Sequence, residues 1–200
     1  MLLATKEHCF ACFETLICHL NERPLPEGLE VASVPLFVTW KKKGRLRGCI
    51  GNLSPVSFPN GLHEYAILAA TQDKRFPKMK LKELPECTVE VSLLVNFEPG
   101  LSWDDWTPGL HGIILQFTVN DEHFKATFLP EVAREQNWSV RETIETLARK
   151  SGYNGKIDDS LLKKMKIERY QSSKCEASYL EWIEFKKKDK VDFSTYSVDQ

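Results

Sequence analysis

The chain has 200 residues, with 27 Lys and Arg against 28 Asp and Glu, a formal net charge of -1 and 42% apolar residues. These values exclude a disordered tail, a collagen-like fibre and a membrane bundle, and they exclude a chain coated in basic surface, though not a local basic patch. No apolar run reaches the roughly 20 residues that a bilayer-spanning helix needs, so no membrane partner is expected. The first eight residues lack the basic-then-apolar order of a signal peptide. The six cysteines (Cys9, Cys12, Cys18, Cys49, Cys87 and Cys175) are irregularly spaced and are expected as reduced thiols of an intracellular protein.

From about residue 6 to 22, Cys9, Cys12, Phe13, Leu16, Ile17 and Leu20 recur three and four apart, which predicts an amphipathic helix ended by Pro24 and Pro26. Val34 to Trp40 reads as a strand, Lys41-Lys42-Lys43-Gly44 as a turn, and Arg45 to Gly51 as a second strand with a bulge or kink at its glycines. Pro59-Asn60-Gly61 opens a small-residue helix from Leu62 to Gln72, with Tyr65, Ala66, Ala69 and Ala70 inward. Asp73 to Pro77 is a loop. Cys87 to Phe97 is a buried strand, in which Val89, Val91, Leu93 and Val95 alternate with Glu90 and Ser92. Ile113 to Val119 and Lys125 to Leu129 are strands about the turn Asn120-Asp121-Glu122. Pro130 starts a short helix. Ser139-Val140-Arg141-Glu142 has capping-box form and starts another, which Gly152 stops. Met165 to Tyr170 and Ala177 to Glu184 read as two final strands, and the chain frays from Lys186 onward. Strands and helices mix without regular alternation, so the fold class is α+β.

Few segments carry chemistry. Cys9-x-x-Cys12 has no second pair to complete a zinc site and lies in an apolar stripe, so no metal site is expected there. There is no Walker A loop, GxGxxG, HExxH or GxSxG, and no cofactor is expected. Arg45-Leu46-Arg47-Gly48-Cys49-Ile50-Gly51 is the unusual segment: glycine weakens a strand and marks a bulge or a close approach to the backbone. Cys49 there is either a thiolate nucleophile or a buried packing thiol. In a regular strand Arg47 and Cys49 share a face, where the guanidinium would hold an anionic group. His111, in Pro108-Gly109-Leu110-His111-Gly112, is either a base or the close of a turn. Glu90 faces solvent or a cleft. Asp73 and Arg75 are an ion pair, helix-end hydrogen bonds, or ligand contacts. Lys41-Lys42-Lys43 with Arg45, Arg47 and Trp40 makes a basic hairpin that is either solvated or tracks phosphates. Lys186-Lys187-Lys188-Asp189-Lys190 is a basic run of nuclear-localisation type.

The hexapeptide Leu46-Arg47-Gly48-Cys49-Ile50-Gly51 resembles the signature of the AMMECR domain family, named for the AMME-syndrome candidate region. Ala69 to Pro77 looks like the family's helix followed by Asp-x-Arg-Phe. Glu90-Val91-Ser92-Leu93-Leu94, Gly109 to Ile113, Phe128 to Ala133 and Trp138 match further segments in order, from about residue 6 to 185. The resemblance implies a mostly antiparallel sheet with flanking helices, in two unequal interleaved subdomains with the hexapeptide near a cleft between them. It makes residues 1–187 a single domain of this kind and 188–200 a flexible polar tail. In prokaryotes the family's domain accompanies a Memo-type domain and a radical-SAM protein. Roles proposed for it lean toward nucleic acid, translation or transcription. The functional expectation is an intracellular protein, nuclear or cytoplasmic, that binds nucleic acid, a nucleotide or a protein, with Arg47, Gly48, Gly51, Asp73 and Arg75 lining the ligand. The alternative is an enzyme with Cys49 as nucleophile and His111 and Glu90 assisting.

Overall fold

The structure is a computed structural model that describes residues 3–29 and 31–188. The chain divides into two unequal units, one from residues 1–93 and 173–200 and the other from residues 94–172 inserted between them. The strands β1 (Ser33–Lys42), β2 (Arg45–Ser57), β3 (Cys87–Pro99), β4 (Gly112–Val119), β5 (Glu122–Phe128) and β6 (Lys166–Ser178) follow the order β2-β1-β3-β6-β4-β5. No helix among the described residues is long and apolar enough to cross a membrane.

In the first unit, β1 (Ser33–Lys42) pairs antiparallel with β2 (Arg45–Ser57) on one side and with β3 (Cys87–Pro99) on the other. The β1–β2 turn is shorter than the sequence suggests. The strands run on to Lys42 and Arg45, and Lys43 and Gly44 alone turn the chain with φ of 51° and 74°. Two positive φ values give the turn whose twist matches a hairpin. Leu36, Val38 and Trp40 of β1 are buried, whereas Phe37, Thr39 and Lys41 between them are half-buried. Helices α1 (Lys6–Leu20) and α2 (Asn60–Thr71) cover the apolar face. Phe13 meets the Trp40 ring edge-on at 5.2 Å, and the Trp40 indole N–H donates to the Ala66 carbonyl at 3.0 Å. Tyr65 is half-buried, and its hydroxyl accepts from Asn52 Nδ2 at 2.9 Å. Cys9 and Cys12 are core thiols: burial pushes Cys9 up to about 12 and Cys12 well above its ordinary value.

In the second unit, β4 (Gly112–Val119) lies between β5 (Glu122–Phe128) and β6 (Lys166–Ser178), antiparallel to both. Asn120 and Asp121 form its hairpin turn, again with positive φ. The short helix α3 (Pro130–Glu135) and α4 (Val140–Lys150) follow. The capping box at Ser139 and Glu142 closes as expected, with a 3.2 Å bond from the Glu142 N–H to Ser139 Oγ. Ile144, Leu147 and Ala148 of α4 pack into a core with Ile113, Leu115 and Phe117. A 3₁₀ turn at Leu81–Glu86 and the short helix α5 (Asp159–Leu162) have no periodicity that a sequence reading would catch.

The end of the chain departs from expectation. The strand expected from Met165 to Tyr170 continues to Ser178, and Ala177 to Glu184 is not a strand. Tyr179–Lys188 form helix α6, with Tyr179 and Trp182 buried and Leu180 exposed. The aromatic and β-branched residues Tyr179, Trp182 and Ile183 favour a strand, but Ser178 and Glu181 make a reciprocal cap. The Ser178 N–H donates to the Glu181 carboxylate at 2.7 Å, and the Glu181 N–H donates to Ser178 Oγ at 3.2 Å. Fraying does not begin at Lys186, since Lys186, Lys187 and Lys188 belong to α6. The remainder of the expected tail and of the basic run, residues 189–200, lies outside the described residues. Replacing Ser178 with Ala removes an N-cap and is expected to lower stability by about 1 kcal/mol, measured by denaturant unfolding; a strand at this position would lose nothing comparable.

Candidate functional site

The hexapeptide lies in β2, where one extra residue decides its geometry. Trp40 pairs with Gly48, but the next β1 residue, Lys41, pairs with Leu46. Arg47 is therefore bulged out of the ladder, and it does not share a regular-strand face with Cys49. Its guanidinium turns instead to Glu83, with Nε and Nη2 donating to the two carboxylate oxygens at 3.1 and 3.0 Å, and to the Pro77 carbonyl at 2.8 Å. Both side chains are largely buried, at 11% and 14% exposure. Lys42 adds a bond to the same carboxylate at 3.1 Å. Burial alone would raise the Glu83 pKa, but Arg47, Lys42 and the Lys80 N–H outweigh it and hold the group down to about 2.

Gly48 faces α2. A Cβ there would stand 2.0 Å from the Ala69 carbonyl oxygen, and one on Gly51 would stand 2.3 Å from the Leu36 carbonyl oxygen and from the Phe37 ring. Both glycines are required by close approach. The Cys49 N–H donates to Asp73 Oδ2 at 2.9 Å, just past the end of α2. Arg75 clasps the same carboxylate through Nε and Nη2 at 2.9 and 2.7 Å. That pairing, with the N–H groups of Cys49 and Arg75, outweighs burial and holds the Asp73 carboxyl far below the usual range. Asp73 and Arg75 thus brace the hexapeptide.

The Cys49 side chain is half-buried on the sheet face opposite the helices. Thr39 pairs with Cys49 on one side and with Glu90 on the other, so the three form a row across β2, β1 and β3. Cys49 and Glu90 are two strand spacings apart, about 10 Å. The Thr39 hydroxyl donates to Cys49 Sγ at 3.2 Å. Lys41 bonds Glu90 at 3.0 Å and also pairs with Glu176, and Lys174 approaches Glu90 at 3.7 Å. His111 belongs to the second unit, where its Nδ1 accepts the Thr107 N–H at 3.0 Å and closes a turn. Burial and Arg169 lower its pKa, against Glu98 and Asp105, and favour neutral imidazole. Glu83, Lys174 and Glu176 had no signal in the sequence, because each joins the hexapeptide strand or its neighbours across long chain separations, whereas Thr39 faces Cys49 through the register of the expected hairpin.

At the turn end of the hairpin, Lys42, Lys43, Arg45, Leu46 and Arg47 line a cavity of about 450 Å³. Glu83 and Glu86 are the carboxylates paired with its cations. Arg45 is exposed and has no partner among the described residues. Among the described residues no group of three or more His, Cys, Asp and Glu side chains is placed to hold a metal ion.

Gly48→Ala is expected to lower stability by about 1–3 kcal/mol, since either the α2 backbone or β2 must shift; its denaturant midpoint should fall well below that of wild type. Glu83 contributes in a defined pH window. Its folded pKa lies below the ordinary 4.5, so its contribution is complete above 4.5 and disappears as pH falls toward 2. Glu83→Gln should cost about 2–3 kcal/mol at neutral pH, and the gap from wild type should close in acid, as followed by unfolding across pH.

Comparison with known proteins sets these features in a family. A profile of the AMMECR1 family matches residues 8–175. An uncharacterized protein of Arabidopsis thaliana is 40% identical over 195 residues, which cover 94% of this chain and 91% of that one. An uncharacterized protein of Schizosaccharomyces pombe is 36% identical over 186 residues, covering 89% and 95%. The crystal structure of an uncharacterized protein from Pyrococcus horikoshii superimposes with a TM-score of 0.67 at 23% identity, over 85% of this chain and 89% of that one, and so has the same fold. On the extent of the profile match and of the identity to these relatives, the chain belongs to the AMMECR1 family.

Proposed function

We propose that this chain is a nucleic-acid-binding module that contacts the phosphate backbone through the cationic end of the β1–β2 hairpin. The observation that carries the reading is the cavity lined by Lys42, Lys43, Arg45 and Arg47, whose four cations are set against the carboxylates of Glu83 and Glu86. The excess is positive in a chain of net charge -1. Arg45 has no internal partner to give up, and Leu46 offers an exposed apolar contact beside it. Phosphate neutralisation with counterion release would drive such binding. The six unpaired cysteines fit a reducing compartment, cytoplasm or nucleus.

A nucleophilic Cys49 has support from the half-exposure of its side chain and from the Thr39 hydroxyl aimed at its sulfur. Its thiol has no hydrogen-bonded base among the described residues, and Glu90 is engaged by Lys41 and Lys174. The geometry therefore supports binding better than catalysis.

Fluorescence anisotropy with labelled single-stranded RNA and duplex DNA, over a salt series, tests the proposal. Wild type should bind with a salt-dependent constant. Arg45→Ala should weaken binding roughly 3- to 10-fold and reduce the salt slope by about 0.7 to 0.9 per lost phosphate contact, while Cys49→Ser should bind as wild type does. Absence of salt-dependent binding, or an unchanged Arg45→Ala variant, overturns it.

A further inference from the structure

Two cysteines that lie 166 residues apart in the chain meet in the first unit. Cys9 stands near the start of α1 and is wholly buried. Cys175 belongs to β6 and is half-buried. This stretch of β6 alternates. Lys174 and Glu176 are exposed and reach Glu90 and Lys41, whereas Cys175 and Ala177 turn to the other face, where Ala177 is buried. Three contacts hold the start of α1 against this strand. The Ala4 N–H donates to Ser173 Oγ at 3.0 Å, Lys6 Nζ donates to the Glu176 carbonyl at 2.6 Å, and Cys9 Sγ donates to the Cys175 carbonyl at 3.1 Å.

The two thiols also act on each other. Burial, and after it the charge that a Cys175 thiolate would carry, pushes the Cys9 thiol up to about 12, against the Val91 backbone and Lys6, which lower it. At neutral pH Cys9 is therefore a protonated thiol shielded from solvent. Cys175 is the member of the pair that a dissolved reagent meets first.

We propose that Cys9 and Cys175 form a reversible disulfide site, closed by hydrogen peroxide and opened by a small cellular thiol. Peroxide first oxidises the Cys175 sulfur to a sulfenic acid and releases one water. The Cys9 sulfur then attacks the Cys175 sulfur. The S–S bond forms, the S–OH bond breaks, and the hydroxide leaves with the Cys9 proton as a second water. Two electrons pass from the pair to the peroxide. Two molecules of the small thiol return them through a mixed disulfide and leave joined as their own disulfide. The bridge ties α1 to the strand that leads into α6 and closes most of the chain into one loop, which restricts the unfolded state strongly. In a reducing compartment such a bridge is transient. The pair shares no residue with the hairpin cavity, so its test is independent of nucleic-acid binding.

The experiment treats the full chain with stoichiometric hydrogen peroxide near neutral pH and blocks the remaining thiols with iodoacetamide in denaturant. Mass spectrometry then maps the unreduced peptides. The peptides bearing Cys9 and Cys175 should appear joined, two hydrogens lighter than their sum, and dithiothreitol should separate them. The joined protein should melt roughly 5 °C or more above the reduced one. Cys9→Ser should leave Cys175 as a sulfenic acid that dimedone labels more strongly than in wild type. Cys175→Ser, at the half-buried position, should lose the crosslink and leave Cys9 reduced. The proposal is overturned if Cys9 and Cys175 stay unjoined at peroxide levels that oxidise Cys18 or Cys49, if Cys9 joins Cys12 instead, or if the joined protein melts no higher than the reduced one.

Discussion

The close approach of β2 to α2 sets the rest of the hexapeptide region. Gly48 lies against the Ala69 carbonyl with no room for a side chain, and this brings the Cys49 N–H within reach of Asp73, just beyond the end of α2. Asp73 in turn is fixed by Arg75. The glycine, the alanine-rich helix and the Asp-x-Arg loop are therefore parts of one contact. A larger residue at Ala69 or Gly48 would push helix and strand apart and remove the carboxylate from the Cys49 N–H. Glycine is unfavourable in a strand, and here the gain is a short distance that no other residue allows.

The bulge at Arg47 is the second consequence. Without it, the β2 side chains would follow strict alternation and Arg47 would stand beside Cys49. With it, Arg47 reaches Glu83 and the Pro77 carbonyl, and so ties the segment between α2 and β3 to the hairpin. A largely buried guanidinium requires such a fork of acceptors. The same displacement sorts the cations. Lys41 goes to the face of Thr39 and Glu90, where carboxylates meet it, while Lys42, Lys43, Arg45 and Arg47 gather at the hairpin end. Charge that is balanced over the whole chain is thereby separated locally.

The legible part of this structure is the part governed by near neighbours. The stripe of Cys9, Cys12, Phe13, Leu16 and Ile17 predicted α1 and its buried face, and Ser139 with Glu142 predicted the start of α4. The glycines of the hexapeptide signalled close approach, which the geometry at Gly48 and Gly51 bears out. What failed depended on contacts between distant segments. Arg47 and Glu83 are 36 residues apart, and nothing in either segment announces the pair. At Ala177 to Glu184 two local signals conflicted. Tyr179, Trp182 and Ile183 are strand-favouring residues, while Ser178 and Glu181 formed a cap that decides for helix. Burial of Tyr179 and Trp182, three residues apart, then agrees with the cap. His63 was read only as one residue of a small-residue helix, because its burial and its Thr15 partner emerge once α1 and α2 pack together.

The first unit thus holds two cavities of opposite charge with different physical origins. The hairpin cavity is cationic because a bulge and a two-residue turn crowd basic side chains onto one strand end, where Glu83 and Glu86 meet only part of their charge. The α1–α2–α6 cavity is acidic because Glu7 and Glu14 of α1 and Glu27 of the following segment line it, with Glu14 paired to Lys186. Most polar groups lining both cavities already serve the fold. On the hairpin, Arg47 and Lys42 already serve the fold through Glu83, so a ligand there competes with an internal pair except at Arg45. In the other cavity His63 is committed to the fold as well, with the Thr15 hydroxyl 2.6 Å from its Nδ1 and, against burial, the Pro26 carbonyl favouring its protonated form. An exposed charge such as Arg45 gives up only solvent when a ligand arrives, whereas a charge already paired within the fold must first give up that pair.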